Sequence, residues 1–156
     1  MAFYSDDSFE PDRSVGYLAR RMHQATQLAL EPLFAEEGLT GIQWSALVSI
    51  WFGRGTTCAE LARDLAHDKG AMTRLVDTLE ERGWVTRVRD ADDRRVINLA
   101  LTKDGEARTL QCKLRVIGYW NALLADWDPA EAETLIALMQ KLRATQDSAL
   151  AEGLRA

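Results

Sequence analysis

The sequence predicts a mainly α chain carrying one small β-wing, with a middle lobe set between helices contributed by both chain ends. Three observations point there. Apolar residues recur at helical spacing in six stretches, each opened by a Ser, Thr or Asp able to cap a helix. Two runs with β-branched and apolar content, Trp84 to Arg89 and Val96 to Leu101, flank Asp90-Ala91-Asp92-Asp93-Arg94-Arg95, which is too polar to bury. The chain of 156 residues with 47% hydrophobic content suits one domain or two small fused lobes, whereas its longest apolar runs are far too short to span a bilayer.

Residues 1–13 read as a mobile acidic tail, with Phe3, Tyr4 and Phe9 able to dock on a neighbour. Ser14 can cap a first helix that places Leu18, Met22, Ala25, Ala29 and Leu33 on one face; Pro32 is expected to kink or weaken its last turn, and Gly38 to end it. Thr40-Gly41-Ile42-Gln43 fits a capping box, with Trp44, Leu47, Val48 and Trp51 as the stripe behind it and Gly53 and Gly55 as the stop. Thr57-Cys58-Ala59-Glu60 fits a second box, followed by Leu61, Ala62 and Leu65. Asp68 can cap the next helix, whose Met72, Leu75, Val76 and Leu79 sit at i, i+3, i+4 and i+7, and Gly83 falls where a C-terminus wants positive φ. Thr102 opens a helix with Leu110, Leu114, Ile117 and Leu124 on one side. Asp128-Pro129-Ala130-Glu131 starts the last, striped by Leu135, Leu138, Met139 and Leu142.

The two short helices after Thr57 form a helix-turn-helix, whose second member can lie in the DNA major groove. Off its apolar stripe, near its start, stand Lys69, Gly70, Ala71, Thr73 and Arg74. The ribbon that follows is a wing, and Arg94 and Arg95 at its tip suit a narrow, electronegative minor groove. Asp93 cannot attract DNA, and its expected job is to orient a wing arginine by a charge-assisted pair. The plainer reading of Arg95 is a surface side chain paired with Asp92 or Asp93.

The runs LARDLAHDKGAMTRLVDTLEERGW and DADDRRVINLALTKDG resemble the MarR family of winged-helix regulators. Asp93-Arg94-Arg95 followed by Leu101-Thr102 is similar to the family's wing signature in type and spacing, and the ordered match covers about residues 14 to 150. The resemblance implies a homodimer whose all-α dimerisation region, residues 14–39 and 102–150, holds two winged lobes, residues 40–101. It implies that Arg95 occupies the family's minor-groove position and Arg74 one that reaches bases or phosphate. Gly70-Ala71 departs from the small hydroxylated pair common there, removing two hydrogen-bonding groups. In the family, small aromatic or lipophilic effectors lodge between the dimerisation region and the lobe. Tyr17, Arg20, His23, Trp44 and Trp51 lie on the helices that would line that crevice, with Arg20 or His23 as the partner of a carboxylate; each of the five also reads as core packing. The family's redox sensors carry a reactive Cys near the start of the first helix, and this chain has none there.

Net charge is −5, which argues weakly against a nucleic-acid binder taken as a whole. Its distribution argues the other way: residues 1–40 hold three basic and seven acidic groups, residues 124–156 three and six, and residues 69–103 eight and six. Cys58 and Cys112 offer neither a disulfide framework nor a zinc set, and His23 and His67 are too few and too far apart for a metal site. No cofactor motif, phosphate loop or nucleophile with an identifiable base appears, so no enzyme is expected. The acidic N-terminus lacks the form of a secretory signal, and these features together suit a cytoplasmic chain. The expected function is a repressor that binds a pseudo-palindromic operator on double-stranded DNA and is released by an effector. The alternatives are a winged-helix protein-interaction module that binds no DNA, or an effector-free activator or architectural factor.

Overall fold

Local side chains set where the helices begin. In a computed structural model, which describes residues 3–6 and 9–153, six helices and one ribbon follow in order. They are α1 (Val15–Glu36), α2 (Gly41–Trp51), α3 (Cys58–Asp64), α4 (Lys69–Glu81), β1 (Val85–Arg89), β2 (Ile97–Leu101), α5 (Lys103–Leu123) and α6 (Pro129–Ala151). Ser14 accepts from the Tyr17 N–H, Thr40 and Gln43 close a full capping box, Asp68 accepts from Ala71, and Asp128 and Glu131 close another box. Thr57 accepts from the Glu60 N–H as expected. The Glu60 carboxylate, however, turns one residue further upstream, to the backbone N–H and hydroxyl of Thr56, where two donors stand in place of one. Gly38 and Gly83 take φ of 69° and 73° just past their helices. Pro32 lies inside α1 without ending it. The carbonyl it leaves without an N–H belongs to Leu28, which is exposed, so water can serve it.

Two compact units result, Met1–Val116 and Ile117–Ala156. The first unit's core draws on α1 and the first half of α5 as well as on the middle lobe. Leu30 and Phe34 of α1, Leu47 of α2, Leu61 of α3, Met72, Val76 and Leu79 of α4, Val85 and Leu99 of the ribbon and Cys112 of α5 are all buried. Glu37, only 8% exposed, receives both Arg108 and Arg115 from α5. The strands pair antiparallel, Val85 opposite Leu101 and Arg89 opposite Ile97. Trp84 and Val96, expected within the strands, lie just outside them.

The buried faces differ from the expected stripes in three helices. In α1, Leu18, Met22, Ala25 and Ala29 are exposed, and Leu30 and Phe34 are the buried pair. In α2, Ala46, Leu47, Ser49 and Ile50 are buried while Trp51 is partly exposed; the helix is apolar nearly all round, and Ser49 is satisfied by donating to Asp64 at 2.7 Å. In α5, Thr109 and Cys112 point inward, leaving Leu110, Leu114 and Ile117 exposed. Within the second unit α6 exposes Leu138, Met139 and Leu142 and buries nothing fully.

Part of the expected tail is tied down. The Tyr4 hydroxyl donates to the Arg13 carbonyl and accepts from the Val15 N–H at 2.9 Å, with Phe3 and Phe9 packed edge-on against its ring. Residues 1, 2, 7 and 8 lie outside the described residues. Among the described residues no helix is long and apolar enough to cross a membrane.

Candidate nucleic-acid interface

Helix α4 is held by its inner stripe and presents the opposite face outward. Lys69, Gly70, Thr73 and Arg74 are exposed and Ala71 is half-exposed. The Asp68 cap accepts the Ala71 N–H at 2.9 Å, and that bond holds its carboxyl below the usual range. A Cβ on Gly70 would stand 3.1 Å from the same carboxylate oxygen, so the glycine makes room for the cap. The Thr73 hydroxyl donates to the Lys69 carbonyl at 2.9 Å. Its proton is thus used within the helix, and donation to phosphate requires the hydroxyl to turn away from that carbonyl.

The wing tip is organised by carboxylates. Asp90 Oδ1 accepts the N–H groups of Asp92 and Asp93 at 2.9 and 3.0 Å, and its Oδ2 accepts Asn98 Nδ2 at 2.9 Å. Asp93 accepts the Arg95 N–H and Nε through Oδ1, both at 3.0 Å, and Nη2 through Oδ2 at 2.9 Å. These bonds lower the pKa of both carboxyls. Arg95 nevertheless keeps its side chain 90% exposed, and Arg94 is exposed beside it.

Two contacts that the sequence reading passed over connect the parts. Arg87 of β1, 26% exposed, reaches back to α4, pairing with Asp77 at 2.6 Å and with Glu80. The signal was present: Arg87 shares the inward face of β1 with buried Val85, and Asp77 and Glu80 are i, i+3 on one helix face. Trp84, at the wing's root, has the guanidinium groups of Arg82 and Arg108 at 5.0 and 5.4 Å from its ring centroid. Arg82 also donates to the Gly38 carbonyl at the end of α1.

A groove of about 620 Å³ separates α1 from α2. Of the five expected ligand residues it takes His23 and Trp44, the latter stacked on Phe34 with centroids 5.8 Å apart. Tyr17, Arg20 and Trp51 do not line it. Tyr17 and Arg20 pair with each other earlier on α1, guanidinium 5.8 Å from ring, and Trp51 faces Lys113 at the far end of α2. His67, 44 positions from His23 in the sequence, lines the same groove. Among the described residues no group of three or more His, Cys, Asp or Glu is placed to hold a metal.

The MarR family profile matches residues 39–97, from just before α2 into β2. The multiple antibiotic resistance protein MarR of Salmonella typhimurium is 32% identical over 111 residues, which is 71% of this chain and 77% of that protein. A solved mutant MarR from E. coli complexed with operator DNA is 30% identical with a TM-score of 0.70, covering 82% of this chain and 92% of that one. CouR from Rhodococcus jostii, solved bound to p-coumaroyl-CoA, is 25% identical with a TM-score of 0.77, covering 86% and 95%. With 32% identity to the Salmonella protein over more than two thirds of both chains, and with six α-helices and one antiparallel ribbon among the described residues, the chain belongs to the MarR family.

Proposed function

We propose that the chain is a homodimeric transcriptional repressor that binds a pseudo-palindromic operator and releases it when a small aromatic or lipophilic effector is bound. The observation that carries this reading is the joint presentation of α4 and the wing: Lys69, Arg74, Arg94 and Arg95 are exposed, while Asp68 and Asp93 fix the elements that bear them. Arg95 enters the minor groove, Arg94 and Lys69 meet phosphate, and Arg74 reaches bases or backbone from the major groove. Gly70 and Ala71 allow close approach without reading bases, and Thr73 joins after its hydroxyl turns outward.

Dimerisation is supported by the apolar side chains that the chain leaves uncovered, among them Leu18 and Met22 on α1, Leu114 on α5 and Leu138 on α6, the last two 60% and 59% exposed. A second copy of the same faces is the economical cover, since two-fold dimers are the commonest oligomer. The dimerisation region draws on residues 14–39 and 102–150. The effector enters the groove between α1 and α2, where His23 is the partner for a carboxylate. It acts by favouring a lobe spacing that no longer fits the operator, because a ligand shifts an equilibrium only by its differential affinity for the two states. Two solved relatives, one complexed with operator DNA and one bound to p-coumaroyl-CoA, support both halves of the reading.

The test is selection of genomic fragments by the purified chain, followed by footprinting. Two-fold symmetric protection over roughly 20 bp, with half-sites about 10 bp apart centre to centre, is expected. Protection of a single half-site at saturating protein refutes the dimer geometry, and no selection of any duplex at low salt refutes DNA binding.

A further inference from the structure

The seven-residue wing tip, Asp90 to Val96, poses a problem for a DNA-reading element. It carries three carboxylates and two guanidinium groups, so its own charge repels the phosphate backbone. It also has little apolar anchorage, since only Val96 offers a half-buried aliphatic side chain. A tip of this composition needs another source of order. The hydrogen bonds supply it, and they form a continuous series.

Asn98 stands within β2, opposite Val88 in the ladder, so its backbone is fixed. Its side-chain amide donates to Asp90 Oδ2. The other oxygen of Asp90 gathers the N–H groups of Asp92 and Asp93 into a tight turn. Asp93, thus placed, takes Arg95 in a bidentate grip. Of the five N–H donors of a guanidinium and its Nε, Asp93 occupies Nε and one on Nη2, and the remaining three point away from it. Those three are what a minor groove lined with adenine N3 and thymine O2 acceptors can receive. Two backbone bonds close the same tip, Asp90 N–H to the Val96 carbonyl at 3.0 Å and Val96 N–H to the Asp93 carbonyl at 2.9 Å, and the side-chain series links the ladder to the free edge of Arg95 through Asn98, Asp90 and Asp93 in turn.

We propose that Asp90 and Asn98 are positioning residues for sequence discrimination by the wing, setting the pose from which Arg95 enters the minor groove. This rests on the reading above that the wing enters DNA. The pair touches neither base nor phosphate. Its contribution lies in arranging Arg95 before DNA arrives, so that a groove of the right width is met by an ordered guanidinium and a wrong one is not accommodated by rearrangement.

The experiment compares the full-length wild-type chain with Asn98→Asp and with the exchange variant Asp90→Asn/Asn98→Asp. Asn98→Asp sets two carboxylates against each other. The exchange variant restores a donor opposite an acceptor with polarity reversed, keeps an acceptor for the two turn N–H groups, and has the wild-type net charge. Each protein is titrated on the tightest duplex that the wild type selects from a random library and on a scrambled duplex of equal composition. Amide hydrogen exchange at Asp93 and Arg95 is followed without DNA. Asn98→Asp is expected to speed exchange at the tip and to lose about tenfold more affinity for the selected duplex than for the scrambled one. Its extra negative charge weakens both duplexes alike, so the ratio isolates positioning from charge. The exchange variant is expected to recover both slow exchange and the wild-type ratio.

Fast tip exchange with an unchanged ratio overturns the proposal and leaves DNA binding by the wing standing. An exchange variant as poor as Asn98→Asp also overturns it, because the Asp90–Asn98 bond is then not the carrier. A wild type with no preference among duplexes overturns sequence discrimination by the wing, and with it this inference, whereas a wild type that binds no duplex overturns the DNA reading itself.

Discussion

Replacing Gly105 by Ala should destabilise the chain, against the usual rule for glycine in a helix. Gly105 is the third residue of α5, and Ala in place of Gly within a helix is worth up to about 1 kcal/mol in its favour. Here the added Cβ would fall 1.9 Å from the Trp84 carbonyl oxygen and 2.8 Å from its carbon. An ordinary carbon–oxygen approach is about 3.3 Å, so the two backbones must part by roughly 1.4 Å. Neither segment is free to do so. The Trp84 carbonyl accepts the Thr102 N–H at 3.1 Å, and the Thr102 hydroxyl both donates to the Gly83 carbonyl at 2.6 Å and accepts the Gly105 N–H at 3.0 Å. Parting them sacrifices a backbone hydrogen bond and a helix cap, each worth about 1 kcal/mol, on top of the overpacking cost of about 1–3 kcal/mol. Net of the helix gain, the loss is about 2–4 kcal/mol, which for a chain of this length lowers Tm by roughly 5–15 °C. Thermal and urea unfolding followed by circular dichroism, at matched protein concentration, measures it. A Tm equal to or above wild type would refute the close approach of the wing's root to α5.

Three further outcomes are expected. Arg87→Met removes the clamp between β1 and α4; its partners are 49% and 40% exposed, so solvent screening limits the loss to about 1–2 kcal/mol, seen as a Tm drop of roughly 3–6 °C together with weaker DNA binding, and an unchanged Tm and affinity would contradict the clamp. Cys112 is buried, and burial, with the Glu37 carboxylate adding to it, pushes its thiol up to about 11, so at pH 7.5 a disulfide reagent should titrate the half-exposed Cys58 alone until the chain unfolds; equal rates at both thiols would place α5 wrongly. The double substitution Leu138→Glu/Leu142→Glu should give monomers or aggregates without operator binding, and a soluble double mutant that still binds DNA in sedimentation and gel-shift measurements would remove the dimer argument.

What the sequence disclosed follows from the range of the interactions. Ser14, Thr40, Asp68 and Asp128 act on N–H groups two or three residues away, and such caps are legible from a few neighbouring letters. Thr57 shows where that logic thins. Its own cap is formed, but Glu60 had a choice between Thr57 and Thr56, and only the folded backbone decides it. Helix faces were harder. Periodicity shows that Leu18 and Met22 of α1, or Leu110 and Leu114 of α5, share a side, yet it does not say whether that side meets this chain's own core. Both helices turned a second, less regular face inward, through Leu30 and Phe34 or Thr109 and Cys112. In the candidate site, the exposure of Lys69, Arg74 and Arg95 was legible, because each stands off an apolar stripe or at a turn. Arg108 and Arg115 meeting Glu37, or His67 joining His23 in one groove, depends on contacts many tens of residues apart, to which local pattern is blind.

The ribbon's two strands differ in how their edges are used. β2 has β1 on one side, and on the other its Leu99 N–H donates to the Thr56 carbonyl at 2.7 Å. Among the described residues β1 pairs with β2 alone, so it keeps one open row of backbone donors and acceptors. Open rows are templates on which a foreign strand can polymerise. Only five residues long, β1 carries Arg87 and Arg89, and a second β1 laid alongside it would crowd like charges together. The exposed guanidinium of Arg89 thus opposes such edge-to-edge stacking. Any attempt to tune the wing by neutralising it should be screened first by light scattering in concentrated solution, where wings from separate molecules meet edge to edge.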